Sequence, residues 1–134
     1  MGCPIDPSLS KFHIPRAAFP YAHAQVRNMF AVNSPFHYLG VDTKKALEAQ
    51  DFAAIMREWN FELIMDLGTG DCVGLTYTGA KFWDVVYLLK VIAQYVTAGS
   101  YLVFREDAFI DPTEWHMKFD GRSVSRTFPD PAEA

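Results

Sequence analysis

The side chains that could do chemistry are few and scattered. The four histidines are His13, His23, His37 and His116, and none stands at a helical or hairpin metal-binding spacing from another histidine, a cysteine or a carboxylate. His116 falls on a strand pattern with Glu114 and Lys118, on the face opposite Trp115, Met117 and Phe119. That placement suits a half-exposed surface histidine better than an acid–base catalyst. Cys72 follows a glycine turn, with no base or helix N-terminus beside it to lower its pKa, so it reads as a small buried hydrophobe. With Cys3 it makes a pair too small for a disulfide framework, and reduced thiols are expected. No serine lies in a Gly-x-Ser-x-Gly elbow. The glycine-rich run Gly68-Thr69-Gly70-Asp71-Cys72-Val73-Gly74 has valine where a dinucleotide fingerprint needs glycine at position 73. A strand pattern follows it instead of a helix, so it reads as a hairpin turn. These residues imply no catalytic constellation, no metal and no cofactor.

The densest acidic stretch is Glu106, Asp107, Asp111 and Glu114, with Phe109 and Ile110 in its middle. A calcium loop would be richer in oxygen donors and would carry glycine at its bend. The plain reading is a solvated acidic loop, with Phe109 and Ile110 folded back over the sheet edge; the sharper reading is a docking surface for a basic partner, since exposed apolar residues ringed by charge mark binding sites and complementary charge steers encounter. On the second reading Glu106, Asp107, Phe109, Ile110, Asp111 and Glu114 are the candidate partner-binding residues.

Composition narrows the partner. The chain has 134 residues, 12 basic and 16 acidic, a net charge of -4 and a pI near 5.5. Nucleic-acid affinity rests on Lys and Arg neutralising phosphates, and no basic stripe longer than Lys44-Lys45 occurs, so nucleic acid is not the main ligand. No stretch reaches the 18 apolar residues of a membrane span. The first residues carry no secretory signal, and Asp6 stands where a myristoylation motif wants Ser or Thr. A cytoplasmic protein is expected.

Length allows one domain over residues 1–134. Four prolines, Pro4, Pro7, Pro15 and Pro20, make residues 1–20 an arm that is neither regular helix nor inner strand. Phe12, Ile14 and Phe19 give that arm reason to pack on the rest. A helix is expected over 21–32, with Val26, Met29 and Phe30 on one face. Asp42 and Asp51 are expected N-caps for short helices over 43–49 and 52–59. Period-2 alternation of Phe61, Leu63, Met65 and Leu67 predicts a strand with one buried face, paired through the glycine turn with a strand over 72–78. Residues 81–96 are apolar around most of a helical circumference and predict one long buried helix. Strands are expected over 100–106, 113–119 and 122–128, with Asp120-Gly121 as the last hairpin turn. Residues 129–134 read as a frayed tail. The expected architecture is α+β: an antiparallel sheet of about five strands (β-β-α-β-β-β) packed by the long apolar helix, preceded by short N-terminal helices. Trp115, Met117, Phe119, Leu102 and Phe104 should share its buried face.

The C-terminal half carries a set of short motifs: Phe61-Glu62-Leu63, Gly70-Asp71, Val73-Gly74-Leu75, Ile92-Ala93 with Val96, Gly99-Ser100-Tyr101, Glu106-Asp107, Trp115 and Phe119-Asp120-Gly121. This resembles a group of small uncharacterised proteins of phages and bacterial mobile elements, whose shared trait is a Gly-Ser-Tyr strand after a helix and a Trp-containing strand ending in Phe-Asp-Gly. The resemblance covers a little under half the chain and implies origin and fold, with no activity to transfer. The loop from Ala108 to Pro112 departs from the group, which has a tight glycine turn there.

Three functions of different classes follow. The first is a non-enzymatic protein-binding module, a phage-encoded inhibitor that docks on a host protein with a basic surface, by analogy with anti-CRISPR proteins. The second is a small enzyme whose site assembles from His116, Glu62 and Asp66. The third is a structural protein that self-associates, for example as a homodimer, through the apolar helix.

Overall fold

The computed structural model describes residues 4–32, 41–79, 82–106 and 113–127. Residues 4–15 are neither helix nor regular strand, as their prolines lead one to expect: short extended stretches flank a turn at residues 7–9, where the Asp6 carboxylate accepts from the Ser8 N–H at 2.9 Å. A 3-10 turn, Arg16–Ala18, leads into helix α1 (Phe19–Val32), with Pro20 in the first turn where its missing N–H leaves no bond unmade. Ala22, Val26, Met29 and Phe30 form the buried stripe of α1. Helices α2 (Thr43–Glu48) and α3 (Phe52–Glu58) start at the expected caps. The Asp42 carboxylate accepts from the Lys45 N–H at 3.1 Å, and that of Asp51 from the Ala54 N–H at 2.8 Å. Asn60, in the left-handed region at φ 67°, turns the chain out of α3 and into the first strand.

The strands form two sheets, which corrects the expectation of one five-stranded sheet. Strands β1 (Phe61–Met65) and β2 (Cys72–Tyr77) make a hairpin. Strands β3 (Tyr101–Glu106), β4 (Thr113–Phe119) and β5 (Val124–Thr127) make an antiparallel meander. The N-terminal arm lies where β2 and β3 would otherwise have met. Ile14 bridges Cys72 on β2, while Lys11 and Ile5 bridge Tyr101 and Phe104 on β3. Ile14 and Cys72 exchange both backbone bonds at 2.9 Å, the Lys11 N–H donates to the Tyr101 carbonyl at 2.9 Å, and Asp6 N–H donates to the Val103 carbonyl at 2.8 Å. A bare strand edge leaves N–H and C=O groups unpaired, and the arm pairs with several residues of the β3 edge and with β2 at Cys72. The lateral order is thus β1, β2, arm, β3, β4, β5.

The expected long apolar helix is also corrected. Helix α4 covers Phe82–Ile92 and tightens into a 3-10 turn, Ala93–Tyr95. A 3-10 turn is a usual way to satisfy the last carbonyls of a helix, and here the Val96 N–H bonds the Ala93 carbonyl at 3.2 Å. Val96 is already extended, at φ -89° and ψ 131°, and the next residue, Thr97, donates its N–H to the His13 carbonyl of the arm at 2.9 Å. Val85, Leu88, Leu89 and Ile92 are buried, while Tyr87 and Lys90 face outward.

The buried side chains of the arm, the helices and both sheets form one continuous core. Leu102, Phe104, Met117 and Phe119 share the inner face of the meander as expected, and Trp115 is half-buried at its margin under the Arg126 guanidinium. Phe104 meets rings of the other sheet edge-on, Tyr77 at 5.8 Å and Phe61 at 6.5 Å between centroids.

In the hairpin the period-2 pattern departs from the expected burial. Phe61 is buried and Leu63 half-buried, but Met65 is 41% exposed and Leu67 wholly exposed. The register steps from Ile64↔Gly74 to Met65↔Cys72, so Val73 is an unpaired bulge residue. The bulge turns Cys72 inward, to full burial, and leaves Val73 at 43% exposure. The expected tail, residues 129–134, lies outside the described residues.

Candidate functional site

The candidate docking residues divide between described and undescribed positions. Asp107, Phe109, Ile110 and Asp111 lie outside the described residues, and Glu106 closes β3. Glu114 opens onto the outer face of β4, where its carboxylate is already engaged. It accepts from Arg105 Nε at 3.2 Å through one oxygen and meets His116 Nε2 at 3.0 Å through the other. The His116 bond and the neighbouring Arg105 charge hold the Glu114 carboxyl below its usual pKa. Arg105 also meets Asp6 of the arm at 3.3 Å.

The residues of the small-enzyme reading are not brought together. His116 stands on β4 and Glu62 on β1, with β2, the arm and β3 between them in the lateral order. Glu62 pairs with Arg57 at 3.4 Å. Asp66 is consumed by the hairpin turn, accepting from the Gly68 N–H at 2.7 Å and the Thr69 N–H at 3.0 Å. Those bonds lower its pKa, Thr69 contributing most. Cys72 is buried as expected; its Sγ–H donates to the Gly74 carbonyl, and burial pushes the thiol up to about 11, which leaves it unreactive.

A different cluster forms where the arm crosses from one sheet to the other. His13 lies between the bridges of Lys11 and Ile14, so its ring sits at the crossing. Its Nε2 meets Asp71 Oδ2 at 2.9 Å, and its Nδ1 meets Thr97 Oγ1 at 2.6 Å. Its own N–H donates to Ser100 Oγ at 3.2 Å. Asp71 takes its place because the turn before it is tight. Gly70 adopts φ 77°, open to glycine and costly for other residues, and an added Cβ would press on the Arg16 side chain. The other Asp71 oxygen accepts from the Arg16 N–H at 2.8 Å. Thr97 is supplied by the turn after α4, which Gly99 closes at φ 90°. His13, Thr97 and Ser100 line a cleft of about 450 Å³ whose walls include Phe12 and Val73.

This cluster is invisible to sequence spacing. His13 is 58 residues from Asp71 and 84 from Thr97, and the arm that carries it has no periodicity to mark it. The one signal was the glycine run before Asp71, which reads as a turn and says nothing of what the turn presents.

The Arg16 N–H and then the His13 hydrogen bond hold the Asp71 carboxyl below its usual 3.8. Asp6 is lowered by the Ser8 hydroxyl and Asp120 by the Ser123 and Arg122 amides. Each depressed carboxyl binds its proton less readily in the folded state than in the unfolded one. Their stabilisation is complete above the ordinary carboxyl range and is lost as pH falls through the lower folded values. The melting temperature should therefore be flat from neutrality to about pH 5 and fall progressively below about pH 4. Thermal melts between neutral and strongly acidic buffers check this; a melting temperature unchanged to about pH 2.5 would mean that these bonds do not hold the carboxylates ionised.

Among the described residues no group of three or more His, Cys, Asp or Glu side chains could hold a metal ion, and no helix is long and apolar enough to cross a membrane. The molecule is an α+β protein built on an arm that joins two antiparallel sheets. Comparison with family models, curated proteins and solved structures finds no match to this chain.

Proposed function

We propose that this chain acts by docking on another protein, as a phage-encoded inhibitor of a host protein with a basic surface in the host cytoplasm. The observation that carries the reading is the β1–β2 hairpin. Leu67 stands wholly in solvent on its turn, with Ile64, Met65 and Val73 each more than two-fifths exposed beside it. The turn is stiff, pinned by Asp66 through two short side-chain bonds. Stiffness matters because a turn whose backbone is already fixed loses little backbone entropy on binding. Asp66 and Asp71, whose hydrogen bonds favour the ionised form, stand at either end of the same turn and give it an acidic rim. Apolar anchors supply affinity, and rim charges set encounter rate and orientation. The docking itself requires no catalytic step.

The acidic-apolar segment with Phe109 and Ile110 is a second contact of this reading. Self-association through α4 finds less support, since Val85, Leu88, Leu89 and Ile92 are already covered by the core.

The test is capture from host lysate by tagged full-length protein, followed by binding measurements on the partner so identified. Leu67→Ser with Val73→Ser should leave the melting temperature within a few degrees and weaken the partner by more than about 2 kcal/mol, as loss of hot-spot residues does. Phe109→Ala with Ile110→Ala tests the second contact in the same way. Unchanged affinity in both double variants would remove both surfaces from the reading.

A further inference from the structure

The cluster at the arm crossing orders its atoms as an activated nucleophile requires. An ionised carboxylate offers acceptors only, so the hydrogen between Asp71 and His13 sits on Nε2. In the neutral imidazole Nδ1 then carries the lone pair, and that lone pair faces the Thr97 hydroxyl at 2.6 Å. The Thr97 backbone is tied to the same crossing. Its N–H donates to the His13 carbonyl at 2.9 Å, and its own carbonyl accepts from the Ser100 N–H at 3.1 Å. The familiar triad uses the two ring nitrogens the other way round, but both belong to one conjugated ring and either can serve as base. Ser100, only 4% exposed, lines the same cleft; its Oγ accepts the His13 N–H and keeps its own proton to donate.

We propose that Thr97, with His13 as general base and Asp71 as the residue that positions His13, is the nucleophile of an acyl-transfer site that hydrolyses small carboxylic esters. This activity goes beyond the docking reading and stands without it. Phe12 and Val73 offer apolar walls to a short acyl chain, and Lys11 at the rim favours a substrate bearing negative charge. Thr97 Oγ bonds to the ester carbonyl carbon as its proton passes to His13 Nδ1 and the carbonyl π pair moves onto oxygen. The Ser100 hydroxyl donates to that oxyanion. Collapse breaks the bond to the leaving alkoxide, which takes the proton from Nδ1. Water then attacks the acyl-threonine, giving its proton to Nδ1, and the proton returns to Oγ as the acid departs. The net reaction is ester plus water to acid plus alcohol.

The full-length protein is treated with a fluorophosphonate and mapped by mass spectrometry, and hydrolysis of p-nitrophenyl butyrate is followed in parallel. The expected result is a single adduct, on Thr97, and p-nitrophenol release above the buffer rate. Because His13 also fastens the arm, the first variant is Thr97→Val, which keeps side-chain volume; it should abolish both signals while the melting temperature stays within a few degrees. Asp71→Asn tests positioning. Its amide N–H would turn the ring hydrogen onto Nδ1, so the labelling rate should fall about 100-fold and the imidazole nitrogen NMR shifts of His13 should report the exchanged tautomer. Absence of a Thr97 adduct in the folded wild-type protein overturns the proposal, as does ester hydrolysis that survives Thr97→Val. An unchanged labelling rate in Asp71→Asn with the tautomer exchanged overturns His13 as the base.

Discussion

Phe104→Ala should lower the free energy of unfolding by about 3–5 kcal/mol, the range for emptying a large aromatic core site. Phe104 is fully buried on β3, and its ring is the meeting point of the two sheets, edge-on to both Phe61 and Tyr77. No backbone ladder joins β2 to β3, so side-chain packing and the arm must hold the sheets together. Removing the ring therefore takes away transfer free energy and leaves a cavity that the stiff neighbouring rings fill poorly. Urea melts of the wild-type and variant proteins measure the loss. A loss under about 1 kcal/mol would mean that the sheets pack without this contact. Trp115→Ala, by contrast, should cost less than Phe104→Ala, because Trp115 is only half-buried at the margin of the same face.

Ile14→Asp should be the more damaging change, abolishing the cooperative fold or removing more than about 4 kcal/mol of stability. Ile14 is fully buried in the core, and its backbone exchanges two hydrogen bonds with Cys72. A carboxylate at that point would lie among apolar side chains, so it must either stay protonated or drag the arm out of its slot. If the arm leaves, the β2 and β3 edges lose their partners together, along with the burial of Phe12. Denaturant melts measure the loss, and limited proteolysis locates it. Cleavage confined to residues 4–15, with the remainder still melting cooperatively near the wild-type midpoint, would show the arm to be an appendage.

What the sequence by itself determined is the set of local choices. Asp42 and Asp51 cap because a short carboxylate reaches the N–H three residues on, whatever lies around it. Val26, Met29 and Phe30 recur at helical spacing, and Leu102, Phe104, Met117 and Phe119 alternate at strand spacing, so their buried faces follow from periodicity alone. The glycine turn before Asp71 and the hairpin at Asp120-Gly121 were legible for the same reason. The tertiary structure decided which edges meet. The arm takes backbone groups that a β2–β3 ladder would otherwise use, at Cys72 and along β3, and no local pattern in a proline-rich segment foretells that choice. The arm fills the gap by burying Phe12 and Ile14 there, a gain that exists only once both sheets are in place. The bulge at Val73 likewise belongs to the paired register and is absent from the period-2 pattern, which is why Met65 and Val73 turn out exposed. The meeting of His13, Asp71 and Thr97 is wholly of this kind. Three segments remote in sequence are brought within hydrogen-bond reach by the backbone bonds of Ile14 to Cys72 and of Thr97 to His13, so the site could be read only after the crossing of the arm was known.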